Sequence, residues 1–175
     1  MNRPRRLGRG SRIAVVAPAS PFRREDFDAG GAELQRLGFE PVWDDSVFAR
    51  EPFVAGPPEL RASAIRAALA DPTVDALIGV RGGYGSAQLL PLLDAVEIRR
   101  AAKPIIGYSD LTTLLAFVTL QAGVVSFHGT MLEGRLARGE AGYDRQSFER
   151  VLCVAEPFGA YETPALDTIA TGEFA

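Results

Sequence analysis

The chain has 175 residues, which is enough for one ordinary domain with a sizeable hydrophobic core. Apolar residues make up 47% and charged residues 23%, a composition typical of a globular protein rather than a disordered one. The formal net charge of −3 argues against a broad basic surface for nucleic acid. No apolar stretch approaches the roughly 20 residues that cross a membrane, and no signal peptide follows the basic start. We therefore expect a soluble cytoplasmic protein with neither nucleic acid nor membrane as a partner.

Apolar runs alternate with helical patterns along most of the chain. Short runs rich in β-branched residues predict buried strands at residues 12–17, 39–43, 75–80, 104–108 and 124–127. Helical spacing of apolar residues predicts helices at residues 23–37, 58–70, 86–93, 95–102, 110–121 and 143–155. Such alternation implies an α/β fold with a mostly parallel sheet flanked by helices.

The two ends of the chain depart from this pattern. Five arginines in the first twelve residues precede any apolar periodicity, so residues 1–11 are expected to form a flexible basic tail. Residues 12–155 hold every predicted strand and helix and are expected to form one α/β domain. Residues 156–175 contain prolines and glycines with little periodicity, which is typical of a linker.

Three unusual segments directly follow predicted strands, at residues 81–86, 109–110 and 128–130. Ligands of parallel sheets bind beyond the carboxyl ends of the strands. The architecture therefore predicts that these three segments lie on one rim of the sheet.

Ser109 lies where the fourth predicted strand turns into the best amphipathic helical pattern. Such a bend can present a serine hydroxyl beside the free N–H groups of a helix start, as in a nucleophile elbow. The motif Gly-Tyr-Ser-Asp-Leu lacks the second glycine of that elbow, and Ser109 can equally be a helix cap. A nucleophilic serine also needs a base and oxyanion donors. The N–H of Asp110 and one from the Gly82-Gly83 turn can supply the donors.

The segment Arg81-Gly82-Gly83-Tyr84-Gly85 allows several interpretations. It can be a plain tight turn, part of an oxyanion hole, or a phosphate cradle in a flavodoxin-like domain. Its spacing matches neither the dinucleotide motif nor the P-loop, which disfavours phosphate. Arg81 can hold a substrate carboxylate with its planar guanidinium or form a surface ion pair.

His128 is the only histidine and Cys153 the only cysteine. They exclude a disulfide within the chain and fall short of a usual metal-ligand set, so a metal site is not expected. His128 is the available base for Ser109, although the sequence positions no carboxylate to orient it, and a buried, hydrogen-bonded histidine is the other interpretation. Cys153 lies on an apolar helical stripe and is expected to be a small core residue.

At these residues the chain resembles the LD-carboxypeptidases, the S66 family of serine peptidases. This family includes muramoyl-tetrapeptide carboxypeptidases and microcin C self-immunity peptidases. The resemblance rests on four motifs in order, at residues 16–21, 81–85, 103–112 and 127–129. It implies that the domain is the flavodoxin-like N-terminal domain of such a peptidase.

The resemblance also implies the chemistry. Ser109 would be the nucleophile, and the N–H groups of Gly83 and Asp110 would form the oxyanion hole. The reaction would hydrolyse the L,D-peptide bond of murein tetrapeptide and release D-alanine during peptidoglycan recycling, without metal or cofactor, in a protein that is commonly a homodimer. Residues near the site become candidates for substrate binding, namely Arg81, Gly82, Tyr84 and His128.

Two departures from the family pattern bear on activity. His128 matches a His-Gly-Pro motif near the site rather than the catalytic histidine, and Thr130 replaces its proline. The family's catalytic histidine and orienting glutamate belong to a C-terminal domain, which this chain is expected to lack. We therefore expect the chain to carry the nucleophile half and to be close to inactive alone. The alternative is a non-catalytic fragment that binds peptides or pairs with another chain.

Overall fold

The computed structural model describes residues 1–154, which form one parallel sheet with helices on both faces. Its strands are β1 (Arg12–Val16), β2 (Glu40–Val42), β3 (Ala76–Gly79), β4 (Ile105–Gly107) and β5 (Phe127–His128). Their order across the sheet is β2-β1-β3-β4-β5, and all neighbouring pairs are parallel. This is the flavodoxin-like order of a doubly wound sheet, so the predicted α/β class is confirmed.

Five α-helices in residues 1–154 cover the two faces of the sheet. They are α1 (Arg24–Arg36), α2 (Pro58–Ala70), α3 (Ala95–Ala101), α4 (Thr112–Leu120) and α5 (Arg145–Cys153). Shorter 3-10 segments are Asp45–Phe48, Ser86–Leu92, Ser109–Leu111 and Leu136–Ala141. Within the described part of the chain, no helix is long and apolar enough to span a membrane.

The core is divided by the sheet into two layers. Successive side chains of a strand point to opposite faces, and β1 follows this rule. Ile13 and Val15 pack with α1 and α5, whereas Ala14 and Val16 pack with α2, α3 and α4. Cys153 packs against the first layer, as expected, and its burial raises the pKa of the thiol.

Most predicted elements are present with shifted ends. The expected helix over residues 86–93 is a 3-10 segment with Pro91 inside it, and proline has no N–H for an α-helical ladder. The fifth strand was expected at residues 124–127 and lies instead at Phe127–His128. Val124 pairs with Asn2 in an isolated parallel bridge.

The N-terminal segment is tied to the domain rather than loose. The N–H of Asn2 donates to the Gly123 carbonyl at 2.7 Å, and its carbonyl accepts from Val125 N–H at 2.9 Å. Leu7 is buried, and its N–H donates to the carbonyl of Leu152 at 2.8 Å. A single leucine among arginines shows no periodicity, so this anchor was not predicted and residues 1–11 were expected to be flexible. The expected linker, residues 156–175, lies outside the described residues.

Candidate active site

Ser109 lies two residues beyond the end of β4 and has a left-handed backbone with φ of +60°. Among the non-glycine residues of 1–154, only Ala102 shares a positive φ. This conformation is strained for a residue with a Cβ, and such strain concentrates at functional sites. A strained serine on a sharp strand-to-helix turn is the geometry of a nucleophile elbow. The side chain of Ser109 is exposed, as an attacking hydroxyl must be.

The helix start after β4 is not capped by Ser109. The N-cap residue of the 3-10 segment Ser109–Leu111 is Tyr108, and no side-chain hydrogen bond caps it. The first N–H groups of a helical segment have no partner inside that segment, and Asp110 supplies one of them. The geometry therefore favours the elbow over the capping interpretation that the sequence left open.

Gly82 lies against this elbow from the neighbouring strand. A Cβ added to Gly82 would lie 3.0 Å from Ser109 Cβ, 3.1 Å from Ser109 Oγ and 3.4 Å from Asp110 N. Any side chain at position 82 would thus occupy the space beside the hydroxyl. The next residue, Gly83, has φ of +104°, which glycine adopts without strain. The structure therefore brings together the glycine segment, Ser109 and the Asp110 N–H, as predicted from the strand ends.

Ser20, in the loop after β1, fixes the glycine segment in place. Its N–H donates to the Gly82 carbonyl at 3.2 Å, and its Oγ accepts from Tyr84 N–H at 3.0 Å. The Ser20 hydroxyl donates to the Phe53 carbonyl at 2.9 Å. A Cβ on Gly83 would collide with the Ser20 side chain. Ser20 belongs to the family motif at residues 16–21, but nothing in the sequence indicated that it would hold the glycine segment.

A second serine attaches the elbow to the segment after the glycines. Ser86 is fully buried, and its N–H donates to Asp110 Oδ2 at 2.9 Å. Its hydroxyl donates to the Asp110 backbone carbonyl at 2.6 Å. The side chain of Asp110 is therefore held by the segment after β3, and its backbone is held with it.

Arg61 of α2 is a buried cation that joins three loops around the site. Its Nε donates to the Gly56 carbonyl at 2.8 Å, and one terminal nitrogen donates to Pro18 at 2.6 Å and Gly85 at 3.0 Å. The other terminal nitrogen bonds the side chain of Gln88. Burial lowers the pKa of the guanidinium, because these partners are neutral. An arginine in an amphipathic helical pattern is normally solvated, so the sequence did not reveal this role.

A cavity of about 500 Å³ opens beside Ser109 and the two glycines. Charged side chains from two other segments form its far wall, among them Arg23, Glu133 and Arg138. Another cavity, of about 480 Å³, lies between α2 and the β1–β2 edge and contains none of the sequence-predicted site residues. We therefore assign the site to the first cavity, where the strained serine lies.

Arg81 lies in the Ser109 cavity but is already engaged. Its Nε pairs with Glu133 at 3.2 Å, and a terminal nitrogen donates to the Pro21 carbonyl at 3.1 Å. Burial raises the pKa of Glu133, although the charge of Arg81 opposes that shift. Of the two roles open to Arg81, the structure shows the ion pair.

Tyr84 and His128 lie outside the cavity of Ser109. Tyr84 is 60% exposed at the tip of the glycine segment. His128 is exposed rather than buried, and it lines a different cavity together with Tyr143. Its ring lies 6.3 Å from the ring of Tyr108, centroid to centroid. A role in substrate binding stays a prediction for both residues. Within residues 1–154, no group of three or more His, Cys, Asp or Glu side chains could hold a metal ion.

Fold and site together define an α/β protein with a nucleophile-elbow geometry at the carboxyl edge of a parallel sheet. The family model of the LD-carboxypeptidase N-terminal domain, Peptidase_S66, matches residues 13–129. The chain belongs to this family, as its motifs predicted.

Curated relatives are named as carboxypeptidases, which are hydrolases. A putative carboxypeptidase of Streptomyces coelicolor is 39% identical over 136 residues, or 75% of this chain and 44% of the relative. The murein tetrapeptide carboxypeptidase of Pseudomonas aeruginosa is 32% identical over 145 residues, or 82% and 47%. The chain thus spans about half the length of the curated relatives it matches.

Solved structures agree with this assignment. The structure of MccF in complex with glutamyl sulfamoyl guanosine has a TM-score of 0.80 and 27% identity, over 86% of this chain and 46% of that one. The muramoyltetrapeptide carboxypeptidase from Oxalobacter formigenes has a TM-score of 0.74 and 29% identity, over 81% and 47%.

Proposed function

We propose that this chain carries the nucleophile and the oxyanion hole of a serine LD-carboxypeptidase that acts on murein tetrapeptide. The observation that carries the proposal is the strained φ of Ser109 at the end of β4, with Gly82 packed against its hydroxyl. The names of the relatives supply the reaction class and the substrate. The product is D-alanine, released during peptidoglycan recycling in the cytoplasm.

The geometry supports the following chemistry. The Oγ of Ser109 attacks the carbonyl carbon of the L,D-peptide bond, and the hydroxyl proton passes to a base. The negative charge that develops on the carbonyl oxygen is received by the N–H groups of Gly83 and Asp110. The C–N bond then breaks, the amine of D-alanine takes up the proton, and water hydrolyses the acyl-enzyme.

No histidine that could act as the base lines the Ser109 cavity. The single histidine of the chain, His128, lines another cavity. The relatives extend well beyond the matched region, and we propose that the base and its orienting carboxylate come from that second half. Removal of the histidine from a serine triad costs about 10⁶ in turnover in the well-studied case of subtilisin. The 175-residue chain alone should therefore be close to inactive.

Labelling with a fluorophosphonate probe tests the nucleophile. We expect slow modification at Ser109, located by peptide mass spectrometry, and its loss in Ser109→Ala. Thr113→Ala is the matched control, because Thr113 is another exposed hydroxyl four residues away and should leave labelling unchanged. Modification elsewhere, or none at Ser109 at saturating probe, would contradict the assignment. Release of D-alanine at an enzyme-like rate, dependent on Ser109, would show that the chain needs no second half.

A second candidate function is a non-catalytic peptide-binding domain. The absence of histidine from the Ser109 cavity favours it. This function predicts peptide binding without any fluorophosphonate labelling. The homodimer implied by the family resemblance remains a prediction, which sedimentation of the purified chain would test.

A further inference from the structure

The cavity beside Ser109 holds three arginines and two carboxylates, and two of the arginines are already paired. Arg23 binds Asp26 with two hydrogen bonds, from Nε at 2.8 Å and from a terminal nitrogen at 3.1 Å. Arg81 forms its ion pair with Glu133 at 3.2 Å. These two pairs leave one positive charge in the cavity of a chain whose net charge is −3.

The remaining cation is Arg138, in the 3-10 segment Leu136–Ala141. It forms no ion pair with a carboxylate of residues 1–154, unlike Arg23 and Arg81. Its charge still acts within the cavity, because it adds to the effect of Arg23 in lowering the pKa of Asp26. The side chain is exposed, so a ligand can reach it without first breaking a protein contact.

We propose that Arg138 binds the free C-terminal carboxylate of the peptide whose last bond lies at Ser109. This inference rests on the proposed function and specifies how that site recognises its substrate. A carboxypeptidase has to read a free carboxylate one residue beyond the bond that it cleaves. A guanidinium with no carboxylate partner suits that role, because its planar donors match both carboxylate oxygens. Arg81, the candidate from sequence, is neutralised by Glu133.

The neighbourhood of Arg138 suits a small terminal residue. Gly134 and Ala137 line the cavity beside it, and a Cβ added to Gly134 would meet no atom within 4 Å. The cavity wall at Gly134 therefore faces open space. We expect the cavity to accept a methyl-bearing terminal residue such as alanine with its carboxylate bound to Arg138.

Equilibrium binding tests the proposal, in a Ser109→Ala background that prevents turnover. The probes are N-acetyl-L-alanyl-D-alanine and its C-terminal amide, with binding followed by protein NMR chemical-shift changes. The acid should bind about tenfold more tightly than the amide, since a bidentate, charge-assisted hydrogen-bond pair is worth about that factor. Arg138→Gln should weaken acid binding about tenfold and leave amide binding unchanged. Arg138→Lys should retain part of the preference.

Arg135→Gln is the matched control, because Arg135 is an exposed arginine three residues away that lines the other cavity with His128. It should leave the acid-to-amide preference intact. Equal binding of acid and amide, no measurable binding of the acid, an unchanged Arg138→Gln variant, or an equal loss in Arg135→Gln would each overturn the proposal. The readout is independent of Ser109 reactivity, so its failure is distinguishable from failure of the proposed chemistry, which appears as missing fluorophosphonate labelling.

Discussion

Ser86 donates two hydrogen bonds to Asp110, one to the carboxylate at 2.9 Å and one to the backbone carbonyl at 2.6 Å. The pair connects the segment after β3 to the turn that carries Ser109. Ser86 is fully buried, so its hydroxyl is removed from bulk water.

Replacement of Ser86 by Ala should loosen this connection. The Asp110 carbonyl loses a buried donor, so we expect a loss of about 1–2 kcal/mol in the free energy of unfolding. Urea denaturation measures that loss, and fluorophosphonate labelling of Ser109 should slow with it. The control is Ser63→Ala, an exposed serine on α2, which should change neither quantity. Normal stability in Ser86→Ala would show that the pair is dispensable.

Arg61 should be far more sensitive to substitution than a surface arginine on the same helix. Arg61→Met leaves the carbonyls of Pro18, Gly56 and Gly85 without their donor, and we expect a loss of about 3 kcal/mol. Arg66→Met removes only an exposed ion pair with Glu97 and should cost under about 0.5 kcal/mol. Urea denaturation of the two variants measures the two losses, and equal denaturation midpoints would contradict the greater sensitivity of Arg61.

Adjacent glycines in α1 should respond in opposite directions. A Cβ on Gly30 would lie 2.9 Å from Leu132 Cβ and 3.1 Å from its Cα, so Gly30→Ala should destabilise by about 1–3 kcal/mol. A Cβ on Gly31 would meet nothing within 4 Å, so Gly31→Ala should stabilise by about 0.5–1 kcal/mol. Thermal unfolding of both variants is the measurement. Stabilisation by both substitutions would show that helix propensity alone governs the two positions, and destabilisation by both would contradict the open space at Gly31.

Glu33 should make stability depend on pH on the acid side. Hydrogen bonds from Arg36, and then from Tyr143, hold the pKa of this buried carboxyl below its ordinary value despite burial. The unfolded chain therefore binds a proton more readily than the folded one. The contribution is present above the unfolded pKa and is lost as pH falls through the folded pKa.

The comparison of native protein with Glu33→Gln measures this contribution. The difference in their free energies of unfolding should be largest near neutral pH and shrink as the solution is acidified. Tyr143→Phe should show a smaller effect of the same sign, because it removes one of the hydrogen bonds to Glu33. A difference that stays constant with pH would contradict the assignment.

The parts of the site that follow from local sequence were predictable. A parallel sheet places the carboxyl ends of its strands on one edge, so Gly82, Gly83 and Ser109 were expected on one rim once the alternation was recognised. The bend at Ser109 was predicted from its position between an apolar run and a helical pattern, whereas its left-handed φ was not. Family motifs then favoured a nucleophile over a cap at Ser109, and that role stays a prediction.

The long-range partners were not predictable in the same way. Arg61 bonds the carbonyl of Pro18, Ser86 bonds Asp110, and Glu133 pairs with Arg81. The partners in each pair are far apart in the sequence, and no periodic pattern predicts such contacts. Arg81 looked like a free cation until its partner Glu133 was placed beside it. Arg138 became a candidate for binding substrate only because the other arginines of the cavity, Arg23 and Arg81, form ion pairs.

Because the backbone at Ser109 is left-handed, the residue that would be most stable at this position differs from the residue that carries a hydroxyl. Glycine adopts this φ freely, so the free energy of unfolding of Ser109→Gly, measured by urea denaturation, should exceed that of Ser109→Ala by about 1 kcal/mol. A library screened only for heat resistance would therefore drift towards glycine here and discard the hydroxyl. Serine would be retained at this bend only if the library were also selected for a reactive hydroxyl.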